Sequence, residues 1–200
     1  MSVKTCYFLR HGETDLNREF RCQGRQDVPL NDRGREQVVE AARKLKDVKI
    51  DAIYSSPLKR AMESAEIIAK NKKMPVQMLD WLVEIDYGAL EGLNAAESGE
   101  RFPGILYRFQ SNPVAVIFPG GESVGGVAER LCNGLGRIVT QESGTILFVT
   151  HQIISGIAKS ILEDKPLNAL WENKLENGGI SQFDISPEHI ALLGKFGRSR

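Results

Sequence analysis

Three short, nearly continuous apolar runs constrain this chain most: Val3 to Leu9, Ile50 to Ser55 and Thr145 to Thr150. Runs of this length without polar alternation suit strands buried on both faces, which requires helices above and below them. The helices are legible in their own period. One apolar stripe runs through Val38, Ala42 and Leu45, a second through Leu58, Ala61, Ala65 and Ile68. A third follows Val124, Val127, Leu131, Leu135 and Ile138, and a fourth Ile153, Ile154, Ile157 and Ile161. Strands alternating with helices predict an α/β fold in three layers, α/β/α, with a mostly parallel central sheet and helices on both faces. Gln77 to Leu79 is expected as a short edge strand. Ile180 to Ile185 and His189 to Leu193, joined across Ser186-Pro187-Glu188, are expected to close the sheet with an antiparallel hairpin. Ser56-Pro57 reads as a helix start, a capping hydroxyl followed by proline at the first helical position.

The chain's 200 residues fit one domain of ordinary size, 1–200, and no repeat or linker interrupts them. The stretch from Glu91 to Gly121, punctuated by Gly and Pro, is expected to be an excursion that lids a site. The net charge is zero, which argues against a nucleic-acid or anionic-membrane partner. Arg10, Arg18, Arg21 and Arg25 gather near the N-terminus, but Glu13, Asp15 and Glu19 stand among them. Any positive field there must be made by folding. Cys6, Cys22 and Cys132 are odd in number and without paired spacing, as expected of reduced thiols in a cytoplasmic protein. No signal peptide and no membrane span is expected. The histidines His11, His151 and His189 have no Cys or His nearby, so no metal site is expected.

Chemistry gathers at the ends of the apolar runs. Leu9-Arg10-His11-Gly12-Glu13-Thr14 closes the first, and ligands of open α/β sheets collect outside the carboxyl ends of strands. A histidine can attack phosphorus when cations bind the phosphate oxygens, and Arg10 offers a planar fork matched to them. In Tyr54-Ser55-Ser56-Pro57-Leu58-Lys59-Arg60-Ala61 a strand ends, a helix begins, and Arg60 falls in its first turn at the same edge. In Val149-Thr150-His151-Gln152 another strand runs into a helix, whose free N–H groups favour an anion. Three strand-to-helix junctions thus deliver cationic or imidazole groups to one edge. Core packing does not require that.

On these residues the chain resembles the histidine phosphatase superfamily, which includes the cofactor-dependent phosphoglycerate mutases. The resemblance runs from about residue 5 to residue 180. It rests on Leu-Arg-His-Gly-Glu-Thr at 9–14, Gln23-Gly24, Leu30-Asn31-Asp32-Arg33-Gly34, Ser55 to Ala61, Glu84 with Tyr87-Gly88, Gly120-Gly121-Glu122-Ser123, and Thr150-His151. It implies that His11 is the nucleophile, that Arg10, Arg60 and His151 hold the phosphate, and that Glu84 is the proton donor. Such a donor is needed because an alkoxide leaves badly without a proton. Asn17, Gln23 and Gly24 match positions that contact phosphate or substrate, while Glu13 and Asp86 are read as structural. Many relatives have Gly where this chain has Gln152, whose side chain could narrow the pocket. His189 is expected to take no part in catalysis.

The resemblance further implies a phosphatase acting on a small phosphorylated metabolite without metal or cofactor; homodimerisation is compatible with the sequence. The alternative is a phosphoglycerate mutase, and Tyr87 to Leu93 looks mutase-like. Mutases of this family generally carry a longer insertion between the acid and the Gly-Glu-Ser motif, where this chain has Ile85 to Gly121. A shorter lid admits water, so hydrolysis is favoured over transfer. A binding protein of the same fold that has lost catalysis is a third reading, against which all five core residues stand. Phe102, Tyr107, Phe109 and Phe118 could wall the pocket or form a small core of the lid itself.

Overall fold

The computed structural model describes residues 4–142 and 144–196. Its sheet has five strands: β1 (Lys4–Arg10), β2 (Ala52–Ser55), β3 (Gln77–Met78), β4 (Thr145–Thr150) and β5 (Ile180–Ile185). They lie in the order β3-β2-β4-β1-β5, and only β5 runs antiparallel to its neighbour. The three apolar runs are therefore β1, β2 and β4, although Val3 lies outside the described residues. Alternate side chains face opposite layers. Phe8, Tyr54 and Phe148 join one core, and Leu9, Ile53 and Val149 the other.

Each layer is covered by the helices whose stripes the sequence carries. Helices α2 (Asp32–Lys44) and α3 (Lys59–Lys72) cover one face, after a one-turn α1 (Asp15–Arg18). Helices α5 (Ile105–Ser111), α6 (Val124–Gln141) and α7 (Gln152–Leu162) cover the other, and a short α4 (Ala95–Arg101) precedes α5. No helix among the described residues is long and apolar enough to cross a membrane.

Two local expectations are corrected. Residues 189–193 form no strand: α8 (Pro187–Phe196) follows β5 directly. Proline has no N–H to lose in a first helical turn, and Ser186 N donates to His189 Nδ1 at 3.0 Å across that turn. Ile190 and Leu193, three apart, both reach the core, which strand alternation would forbid. The antiparallel edge is thus β5 alone on β1. Nor does the helix after β2 begin at Pro57; α3 begins at Lys59, with Leu58 at the N-cap and no side-chain cap. The Ser56 hydroxyl accepts from Leu58 N at 3.3 Å and lies 2.8 Å from a ring nitrogen of His151.

The segment 91–121 adds α4 and α5, and its Phe109 and Phe118 are buried with Tyr87 and Trp171 in an edge-to-face cluster, 4.8 to 6.0 Å between rings. Phe102 packs against this core, and Tyr107 is exposed. Phe102, Tyr107, Phe109 and Phe118 make no wall to the site cavity, where Gln110 is the segment's contribution among the described residues.

The loop after β1 is held against the start of α2 by two glycines. A Cβ on Gly12 would meet Gly34 O at 2.2 Å, and one on Gly34 would meet Glu13 O at 2.1 Å. Gly34→Ala should therefore lower stability by about 1–3 kcal/mol, the usual cost of overpacking. Gly99→Ala, with open space around its Cβ in α4, should be neutral or stabilising by up to about 1 kcal/mol. Urea melts of both variants check the pair; equal effects would refute the close approach.

Candidate active site

The register of β1 on β4 pairs Leu9 with Val149 and Arg10 with Thr150, and it continues past both strands. His11 N donates to Thr150 O at 2.9 Å, which brings His11 and His151 side by side. Their rings meet edge to face with centroids 5.1 Å apart, and both are buried. Arg60 arrives from the first turn of α3 and is 0% exposed. A guanidinium tolerates this only if its donors are used. Arg60 Nη1 donates to Gln26 O and Nη2 to Gly24 O, each at 2.7 Å, and Nε to His11 Nε2 at 3.2 Å.

These partners decide the state of His11. Its Nδ1 lies 2.6 Å from Gly12 O. A carbonyl can only accept, so Nδ1 carries the proton and Nε2 presents its lone pair. Burial, reinforced by Arg60 and Arg10, holds the His11 pKa well below the ordinary histidine value, so the imidazole is neutral at pH 7. His151 is held neutral by burial and then by Arg60. Burial also brings the Arg60 pKa down to about 10, which leaves it charged at neutral pH.

Arg10 Nη1 donates to Gln152 Oε1 at 2.6 Å and to Leu175 O at 2.7 Å. Buried polar atoms are normally satisfied. Here Arg10 Nε, Gln152 Nε2 and His151 Nδ1 are buried without partners. Three such atoms around one histidine, two of them certain donors, are what an anion would satisfy.

Glu84 is buried in the segment between β3 and α4, and its carboxylate bridges two segments. Its Oε1 accepts from Ile85 N at 2.8 Å, and Oε2 from Ile153 N at 3.1 Å in the first turn of α7. Burial raises its pKa above the usual carboxylate value, against the opposing pull of those N–H groups and of Arg60 and Arg10. Its backbone is clamped from α6. Arg130 donates to Trp81 O at 2.7 Å, to Glu84 O at 3.2 Å and to the Glu122 carboxylate. Glu122 in turn accepts from Asp86 N at 3.0 Å.

All the expected site residues except His151 line one cavity of about 670 Å³: Arg10, His11, Asn17, Gln23, Gly24, Arg60, Glu84 and Gln152. His151 is buried against the His11 ring. Asn17 forms a capping box with Thr14 and accepts from Asn177 Nδ2 at 3.2 Å. The buried Gln23 accepts the Thr14 hydroxyl at 2.9 Å, and Gly24 acts through its carbonyl on Arg60. Glu13, which also lines the cavity, accepts from Asn31, and Asp86 accepts from Gly88 N. His189 lies on α8, outside this cavity.

Other neighbours were not foreseen. Trp171, Lys174, Glu176 and Asn177 line the cavity, and Asn177 Nδ2 donates to His11 O at 3.2 Å. The Asn177-Gly178-Gly179 turn was the available signal; nothing local ties it to His11. Tyr87 was noted only as part of a motif, yet it too lines the cavity. Arg130 carries no sequence mark of its role.

The model of the histidine phosphatase superfamily (branch 1) matches residues 6–195. The chain belongs to that superfamily. This histidine phosphatase superfamily member is 33% identical over 182 residues to the uncharacterized phosphatase PhoE of Bacillus subtilis, covering 90% of this chain and 88% of PhoE. It is 38% identical over 181 residues to phosphoglycerate mutase-like protein 4 of Arabidopsis thaliana, covering 88% of this chain and 77% of that protein. Among solved structures it is similar to a mycobacterial glucosyl-3-phosphoglycerate phosphatase in complex with VO3. The TM-score is 0.84 at 27% identity, over 90% of this chain and 92% of that one.

Proposed function

We propose that this chain hydrolyses a small phosphomonoester through a phosphohistidine on Nε2 of His11. The observation that carries the reading is a buried, neutral His11 whose Nδ1 proton is tied to Gly12 O while Nε2 faces Arg60. In the first step the Nε2 lone pair bonds to phosphorus as the bond to the leaving oxygen breaks. The Glu84 carboxyl group gives its proton to that oxygen, and the alcohol departs. In the second step water attacks phosphorus, the Glu84 carboxylate takes a proton from it, and the P–N bond electrons return to Nε2 as phosphate is released. Phosphoryl transfer asks mainly for positioning and for charge on the equatorial oxygens. Arg10 and Arg60 supply two cations, and the unpaired donors of Arg10 and Gln152 supply hydrogen bonds.

With that charge in place, hydrolysis should persist after prolonged EDTA treatment, measured as phosphate release across a panel of phosphorylated metabolites. Activity lost in EDTA and restored by magnesium or zinc would overturn the metal-free mechanism. Release from no member of the panel would overturn the hydrolytic reading. The mutase-like relative supports a second reading, transfer between hydroxyls of phosphoglycerate, which would show as isomerisation outrunning phosphate release.

The clamp on Glu84 predicts its own effect. Arg130→Met frees Trp81 O and Glu84 O, so the acid should lose its placement. Turnover should fall roughly 10–100-fold, as for misplacements near 1 Å, with KM moved less. Stopped assays over a substrate range check this. A change confined to KM would remove Arg130 from the proton donor's support.

A further inference from the structure

The hydroxyl of Ser56 bears on how the phosphoryl group is held, an inference that rests on the reading of His11 above. Ser56 is fully buried. Leu58 N donates to its Oγ at 3.3 Å, and Oγ lies 2.8 Å from His151 Nε2. A hydroxyl has one proton to give. Among the described residues no acceptor other than His151 Nε2 meets Ser56 Oγ. If Nε2 carried the ring proton and donated to Oγ, the Ser56 proton and a bare Nδ1 lone pair would both be buried without partners. That is the expensive arrangement. If the Ser56 proton goes to Nε2, every atom of the pair is used except Nδ1. In a neutral ring Nδ1 then carries the proton, and it is buried with no partner. One unspent donor therefore stands beside His11, on a ring 5.1 Å away.

We propose that Ser56 fixes the tautomer of His151, so that Nδ1–H is a neutral hydrogen-bond donor to the phosphoryl group carried on His11. Ser56 is then a positioning residue, acting through His151 without touching substrate. A neutral ring also fits its neighbours, because Arg60 stands close enough to disfavour a further positive charge there. The site thus holds phosphate with two cations and a neutral imidazole. The Ser-Ser-Pro motif serves the chemistry through its second serine, whose hydroxyl is turned to His151 while the helix begins later, at Lys59.

The tautomer is read directly by long-range proton–nitrogen correlation of the imidazoles in ¹⁵N-labelled protein, which separates the two neutral tautomers from imidazolium. The chain has three histidines, and His189→Gln identifies the one on α8. At pH 7 the wild-type His151 is expected neutral, with Nδ1 protonated and Nε2 bare. Ser56→Ala is expected to change that pattern at His151 and to weaken orthovanadate binding by roughly tenfold or more, the scale of one hydrogen bond to a charged group. A wild-type His151 that is doubly protonated, or protonated on Nε2, would overturn the proposal. So would a Ser56→Ala protein with unchanged vanadate affinity. If Ser56→Ala does not fold, the wild-type spectrum alone decides. Neither measurement needs turnover, so a chain with the expected tautomer that hydrolyses nothing would fault the proposed reaction and not the Ser56–His151 bond.

Discussion

His11→Ala is expected to lower turnover on the order of 10⁶-fold, the scale seen when a covalent nucleophile is removed. The reason is local. Nε2 of His11 is the neutral nitrogen in the cavity with its lone pair toward a guanidinium, and removing it leaves Arg10 and Arg60 to bind phosphate without a partner to accept it. Binding should survive in part, so vanadate or phosphate should still protect the variant against unfolding. Rapid quench of the wild type with labelled substrate should trap an acid-labile adduct at His11. The same quench of His11→Ala should trap none. An adduct on any other residue would overturn the assignment of the nucleophile.

Glu84→Gln is expected to separate substrates by leaving group. Alkyl phosphates should lose roughly 10²–10⁴-fold in the phosphoryl-transfer step, the usual worth of a general acid. Aryl phosphates with acidic phenols need little protonation and should lose far less. Single-turnover measurement is required, because slow dephosphorylation would mask the difference at steady state. Equal losses for both classes would remove the proton-donor role. The pH profile supplies an independent check with its own signs. The transfer step needs neutral His11, so kcat/KM should fall as pH drops through the lowered His11 pKa, below the ordinary histidine value. It also needs protonated Glu84, so kcat/KM for alkyl phosphates should fall as pH rises through the raised Glu84 pKa. Glu84→Gln should abolish that basic limb and leave the acidic one.

Glu84 also illustrates the limit of pattern reading. By pattern alone Glu84, after Trp81-Leu82, reads as a surface carboxylate, and only the family resemblance singles it out. Its burial, raised pKa and bond to Ile153 N depend on α7 and α6 packing against a loop distant in sequence. Arg130 is likewise an ordinary helical charge until α6 lies across Trp81 and Glu84. Asn177 reaches His11 because β5 returns beside β1.

The apolar runs and the helical stripes determined the layers by themselves, because burial on both faces leaves no polar position free and helical period admits one apolar face. They also placed Arg10, His11, Arg60 and His151 at strand-to-helix junctions, which a parallel sheet must gather at one edge. Where local signals were mixed, as in Pro187 to Leu193, the choice between strand and helix fell to the core that Ile190 and Leu193 had to reach. The lowered pKa of His11, the raised pKa of Glu84, the orphaned donors and the clamp on Glu84 were decided by tertiary structure alone. Each depends on which groups exclude water from one another, and that is a property of packing between segments far apart in the chain.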